Sequence, residues 1–278
     1  MRISKIISKL RAGKVARICC LYNPVTMYPR HAAHAGYDGI WLEHEHNTWE
    51  LRELQRIIAM HHLADIDCVV RPTFLGRTQL YGLLDMGASG LMVPFVSNRE
   101  SARYLVDALR FPPVGQRGLD GAGLDNDFYL NGIRSYVSDA NQQTVIVAQI
   151  ETPEALDNVE EIAAVKGIDV LFIGPSDLSL RLGCACDWAE PKMQAAQKSV
   201  AAAAARNGVH WGRPTGTAED MAEMLRNGAR FIAHGSDFDS IAYSMQSRYR
   251  LTFEKALSAC GMNESKETPP PLEKAKSY

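Results

Sequence analysis

The run VIVAQIETPEAL at 145–156 is almost wholly apolar until it stops at Glu151, and VLFIGPSDLSLRLG at 170–183 repeats the pattern and reaches Asp177. A continuous apolar run ended by Gly, Pro, Ser or Thr marks a strand covered on both faces. Carboxylates placed just beyond two neighbouring parallel strands converge on one point. In an α/β barrel that point is where chemistry is done. Two carboxylates there can hold a hard divalent cation and leave its other positions to water and substrate.

The same alternation covers almost the whole chain. Strands are predicted at 16–22, 39–44, 67–72, 90–95, 144–151, 169–174, 208–212 and 229–235. Helix-periodic segments lie between them, such as LRELQRIIAMHHLA, NRESARYLVDALRF and TAEDMAEMLRNG. Thr48, Asn98, Thr152 and Thr217 read as helix N-caps, and Gly87, Gly167, Gly208 and Gly228 as helix ends. Eight βα units in this length predict an α/β protein, a closed (β/α)₈ TIM barrel, over residues 1–262 as one domain with terminal helices. An open doubly wound sheet is the alternative. No GxGxxG follows the first strand, which argues against a dinucleotide-binding version. One long connection, 111–141, contains PPVGQRGLDGAGLDNDF. It is expected over the carboxyl end of the barrel, as a substrate lid or an inter-subunit element. The polar, proline-rich stretch 263–278 reads as a disordered tail.

The 278 residues are 46% hydrophobic, enough for a large core, and the formal net charge is −2. A near-neutral chain without a basic block is not built primarily for nucleic acid or an anionic membrane surface. No apolar stretch is long enough to span a bilayer, and the N-terminus reads as a short amphipathic helix, not a secretory signal. The six cysteines form no CxxC pair. Cys19 and Cys68 fall in core strands, which points to a reducing, cytoplasmic setting. Cys184 and Cys186 form a CxC in a loop.

Placing polar residues at strand ends gives a short roster. Glu43, His44, Glu45 and His46 follow the second strand, and Arg71 ends the third. Asp85 ends the next helix. Gln149 and Glu151, two apart, point the same way. Asp177 follows the sixth strand, and His234 ends the eighth, where it would line the pocket. A metal pair (Glu151, Asp177), a fixed cation (Arg71), a base (His46) and a carboxylate to orient it (Asp85) suit enolate chemistry on a 2-keto acid. The cation and Arg71 would stabilise charge on the enolate oxygen, and His46 would move the proton.

In order and spacing, GYDGIWLEHEH, VVRP, LLDMGASGLMVPFV, FPPVGQRG, VAQIET and IGPSDLS resemble the HpcH/HpaI-type class II pyruvate aldolases, from about 36 to 240. The resemblance implies a barrel of the phosphoenolpyruvate/pyruvate-binding type and a metal-dependent carbon–carbon lyase. Glu151 and Asp177 would ligate Mg²⁺, with Mn²⁺ or Co²⁺ as substitutes, and Arg71 would bind the keto-acid oxygens. Gln149 and the backbone at Gly174, Pro175 and Ser176 would line the keto-acid site. His46, paired with Asp85 of a neighbouring subunit, would handle the aldol proton. Family members are typically hexamers, trimers of dimers that exchange a terminal helix. Where bacterial members usually have Asp-Gly-Glu-His, this chain has Glu43-His44-Glu45-His46, and its loop after Gly118 also differs. With Trp41, these changes point to the fungal macrophomate synthase branch, which decarboxylates oxaloacetate and couples the enolate to a pyrone. Glu45 and Trp41 are therefore assigned to substrate binding. The partners expected are a 2-keto acid (pyruvate or oxaloacetate) and an aldehyde or pyrone acceptor. Two other classes remain in view. His44-x-His46 could open a metallohydrolase site, but it follows the second strand where such a pair belongs after the first. A non-catalytic keto-acid-binding barrel would be expected to lack one of Glu151, Asp177, Arg71 or His46.

Overall fold

The computed structural model describes residues 1–262; the 263–278 stretch read as a tail lies outside them. Eight parallel strands close into a barrel in chain order. They are β1 (Ala16–Leu21), β2 (Gly39–Glu43), β3 (Asp67–Arg71), β4 (Gly90–Val93), β5 (Val145–Ile150), β6 (Val170–Ile173), β7 (His210–Pro214) and β8 (Phe231–Ser236). Around them run α1 (Lys5–Arg11), α2 (Tyr28–Ala35), α3 (Leu51–Ala64), α4 (Arg77–Asp85), α5 (Arg99–Leu109), α6 (Ile133–Gln143), α7 (Pro153–Asp157), α8 (Val159–Ala163), α9 (Pro175–Leu182), α10 (Pro191–Asn207), α11 (Ala218–Arg226), α12 (Asp237–Arg248) and α13 (Lys255–Ala259).

The unbroken apolar runs are explained by two cores that share the strands. Ile18, Cys20, Trp41, Val69, Met92, Val147, Phe172 and Phe231 fill the barrel interior. Their neighbours Cys19, Leu21, Ile40, Leu42, Cys68, Val70, Ile146 and Leu171 face outward and pack in the outer core. Alternate residues thus serve opposite faces, and both faces are dry. The N-terminal helix plugs the lower end: Ile6, Ile7 and Leu10 join the interior core, and Ser4 donates to Asp67 Oδ2 at 2.6 Å.

Three of the expected caps are present. Asn98, Thr152 and Thr217 accept backbone N–H bonds at the starts of α5, α7 and α11. Thr48 is not a cap: α3 begins two residues later on Glu50, whose side chain and Glu53 form a reciprocal capping box. The seventh strand also sits two residues further on than expected. Gly208, at φ 66°, caps α10 in the left-handed region and delays the extended run to His210.

The long connection does not cover the mouth. It follows α5, which has already carried the chain back down the outside, so it lies at the amino-terminal end of the barrel. Arg117 within it bonds Asp85 Oδ1 at 2.5 Å, at the end of α4. Asp125 lines a small crevice with Arg2, Ser4 and Gly87. The lid expectation fails because a βα unit alternates ends, and length alone does not say which end a loop occupies.

Candidate active site

At the carboxyl end a cleft of about 470 Å³ opens between the strand ends. Its lining includes Trp41, His46, Arg71, Gln149, Glu151 and the Gly174–Asp177 turn. These nine positions, read from the sequence and carried by four strands, therefore meet in one place, with Pro175 and Ser176 inside that turn. Glu45 borders them through Arg71.

Arg71 is 8% exposed. Its Nε and Nη2 lie 2.7 and 2.6 Å from Glu43 Oε2, and Nε lies 3.1 Å from Glu45 Oε2. Its guanidinium stacks 4.7 Å above the Trp41 ring. Burial disfavours its charge, yet Glu43 and Glu45 hold its pKa above the ordinary arginine value. Glu43 is fully buried and also accepts the His46 backbone N–H at 3.0 Å. It therefore aims the cation and anchors the loop that carries His46.

Glu151 is held by two donors. Phe95 N–H reaches Oε1 at 2.8 Å, and Gln149 Nε2 reaches Oε2 at 2.6 Å. Phe95 adopts φ 55° to do so, a left-handed conformation that a non-glycine residue keeps only where the surroundings enforce it. Burial pushes the Glu151 carboxyl up to about 7; the Phe95 N–H works against this, and the neighbouring Glu45 and Asp177 add to it. Asp177 sits in the first turn of α9, and its Oδ1 is 2.9 Å from Arg181. A Cβ at Gly174 would fall 2.4 Å from Glu151 Oε2 and 2.5 Å from Gln149 Nε2, so a side chain there would push both groups out of their present positions.

These residues fit a hard cation. Gln149 Oε1 is buried with no hydrogen-bond partner, an oxygen acceptor beside a carboxylate whose pKa stays raised despite the attraction of Arg71. All the candidate donors are oxygens. Among the described residues no three His, Cys, Asp or Glu side chains gather to hold an ion by themselves. A two-carboxylate site leaves several positions open for substrate.

His46 stands at the rim, its side chain 61% exposed, with Nε2 3.6 Å from Glu45 Oε2. Asp85 is not among the cleft residues. It pairs with Arg117, which also holds Asp125, and burial raises its pKa against the pull of that arginine. His44 does not line the cleft; its Nδ1 is buried without a partner and burial lowers its pKa. Cys184 and Cys186 are free and lie outside the cleft lining.

Some participants escaped the sequence reading. Glu43 was visible only as one of four polar residues, and the sign of its role lies in the β2–β3 register, which sets Glu43 beside Arg71. Phe95 contributes a backbone atom, so its identity carried no signal. Cys20 and Phe172 form the floor, and Tyr22, Thr215, His234 and Phe238 form the far wall. Only His234 had a cue, its place at the end of β8.

Residues 23–243 match the family model described as HpcH/HpaI aldolase/citrate lyase. A 4-hydroxy-2-oxovalerate aldolase from Novosphingobium aromaticivorans is 38% identical over 207 residues, 73% of this chain and 76% of its own. The crystal structure of an HpcH/HpaI aldolase from Desulfitobacterium hafniense superposes with a TM-score of 0.80 at 29% identity, covering 95% of this chain and 98% of that one. Macrophomate synthase shares the fold, with a TM-score of 0.77 at 23% identity over 94% of this chain and 91% of its own. A matched span reaching from the loop after β1 into α12 takes in the ends of β2, β3, β5 and β6 that carry Trp41, His46, Arg71, Gln149, Glu151 and Asp177, and this chain belongs to the HpcH/HpaI aldolase/citrate lyase family.

Proposed function

We propose that this chain is a divalent-cation-dependent carbon–carbon lyase that makes or breaks the bond between the enolate of a pyruvate-type 2-keto acid and an aldehyde. The observation that carries this reading is the buried Glu151, pushed up to about 7, beside the unpartnered Gln149 Oε1 and across from Arg71. Glu151 and Asp177 would hold the cation, Mg²⁺ first and Mn²⁺ or Co²⁺ as alternatives. When bound it would act as a Lewis acid toward the keto-acid oxygens.

The protein residues do the rest. Arg71, fixed by Glu43, offers a guanidinium whose direction is set before substrate arrives, so its hydrogen bonds to the keto and developing enolate oxygen cost little reorganisation. The α9 N-terminus at Ser176 and Asp177 offers backbone N–H groups to the keto-acid carboxylate. Trp41 and Phe172 exclude water beneath it. His46 takes the proton from the hydroxyl of the aldol during cleavage and returns it during synthesis. Asp85 of a neighbouring subunit would orient His46, which requires an oligomer, a hexamer built as a trimer of dimers. A cytoplasmic setting suits six cysteines that are all unpaired.

A second reading, an oxaloacetate decarboxylase or a carboligase with a pyrone acceptor, is favoured by the Glu43-His44-Glu45-His46 sequence at the electrophile end. The same enolate forms there by loss of CO₂ and needs no base. The experiment is pyruvate and CO₂ release by chelator-stripped protein with and without Mg²⁺ or Mn²⁺, on oxaloacetate and a 4-hydroxy-2-keto acid in parallel. Cation-dependent turnover is expected, and the faster substrate separates the two readings. No turnover of either substrate with the cation present sinks both.

A further inference from the structure

The cleft is larger than a keto acid needs, and its β7–β8 side is chemically different from the end that holds Arg71 and Glu151. Tyr22 and Phe238 pack there at a tilt of 53° with ring centroids 5.2 Å apart, giving a wall for a carbon skeleton. Most polar side chains of this region are already committed. Asp237 accepts from Tyr22 N, Asn23 N and Asn23 Nδ2 at 3.0, 3.0 and 2.8 Å. Ser236 and Asp239 close on each other, with Ser236 Oγ donating to Asp239 Oδ2 at 2.7 Å and accepting from Asp239 N at 3.1 Å.

Two side chains keep unused capacity. His234 is exposed and lines the cleft. Its Nδ1 lies 2.8 Å from the Thr215 carbonyl oxygen. A carbonyl can only accept, so Nδ1 carries the hydrogen, and in the neutral ring Nε2 is left with a free lone pair. The other is Thr215 itself, which also lines the cleft. Its Oγ1 is buried with no partner among the described residues, and a hydroxyl can donate or accept. The same Thr215 residue thus fixes the tautomer through its carbonyl and offers a second polar atom.

We infer that His234 is a specificity-determining residue of the acceptor half of the cleft, and that the acceptor it selects is an aldehyde bearing hydroxyl groups, one of which donates to Nε2. The inference rests on the enolate reading above, since only then is there an acceptor to select. A site built to hydrogen-bond a hydroxyl discriminates against the analogue that lacks it, because its own polar groups are then left unpaired.

The test is aldol synthesis with saturating pyruvate and Mn²⁺, comparing D-glyceraldehyde with propanal, the same carbon chain without hydroxyls. The quantity read is the ratio of the two kcat/KM values. The ratio should fall about tenfold in His234→Leu, the loss of one neutral hydrogen bond, chiefly through the KM for glyceraldehyde. His234→Gln, which returns an acceptor oxygen at similar reach, should recover part of it. Melting temperatures of both variants check the fold. A ratio unchanged in His234→Leu overturns the inference while wild-type turnover leaves the enolate reading standing. A wild-type protein that joins pyruvate to neither aldehyde and decarboxylates no oxaloacetate, with Mn²⁺ present, removes the enolate reading and this inference together.

Discussion

Glu151 is where burial, two hydrogen bonds and three neighbouring charges meet, and the balance leaves its carboxyl titrating at about 7. A cation binding there must displace the proton that carboxyl holds at lower pH. Mn²⁺ affinity, measured by calorimetry on chelator-stripped protein, is therefore expected to fall by about tenfold per unit as pH drops below 7. Glu151→Gln, which keeps the side-chain length but not the charge, should lose at least about 100-fold in affinity and flatten that profile, with little change in fold. Cation binding to the variant as tight as in the wild type would remove Glu151 from the ligand set. Residues of this kind were legible in the sequence for a plain reason. Glu151 and Asp177 stand at the ends of apolar runs, and Gln149 shares a face with Glu151 by the two-residue strand period. Phe95 was not, because a backbone N–H donates whatever the side chain, and a left-handed φ leaves no mark in a Pro-Phe-Val sequence.

Strands and helices position these groups through register. Glu43 and Arg71 are direct neighbours across β2 and β3, and both are buried. Glu43→Ala should leave the buried Arg71 guanidinium with Glu45 as its remaining carboxylate, costing roughly 1–3 kcal/mol of stability and raising the KM for the keto acid; urea unfolding and steady-state kinetics would show both, and an unchanged KM would mean Arg71 needs no help from Glu43. The helices carry their own pH signature. His61 in α3 is fully buried, bonds Ile57 O at 2.7 Å, and is pushed by burial down to about 4. The unfolded chain takes up a proton near the ordinary histidine value, so the His61 contribution is present above that value and is lost as pH falls through the window from 6.5 to about 4. It amounts to at most roughly 3 kcal/mol. His61→Leu should flatten urea midpoints across that window, since Nε2 already lacks a partner; an unaltered pH profile would place the proton uptake elsewhere. All eight strands could be read from apolar runs, because in a closed parallel barrel both faces are dry. Boundaries failed where a polar cue was ambiguous. Thr48 had the residue type of a cap, but the reciprocal bonding of Glu50 with Glu53 starts the helix two residues later.

At the scale of the molecule, the two ends of the barrel divide the roles. His46 stands at the carboxyl end, whereas Asp85 closes α4, whose chain has returned to the amino-terminal end, and is held there by Arg117. One chain therefore cannot bring them together, and if Asp85 orients His46 it must do so from another subunit. This makes a test that no fold defect can imitate. His46→Ala and Asp85→Asn should each be nearly inactive in aldol cleavage. In oligomers assembled from equal amounts of both, a site that takes His46 from an Asp85→Asn subunit and Asp85 from a His46→Ala subunit is intact. Random mixing makes about one site in four of this kind, so cleavage should return to about a quarter of the wild-type rate. Oxaloacetate decarboxylation, which needs no base, should respond far less to either substitution and to mixing. If the mixed oligomers stay as inactive as their parents, Asp85 does not serve His46 across an interface, and the Arg117–Asp85 pair is confined to holding α4 against the long connection.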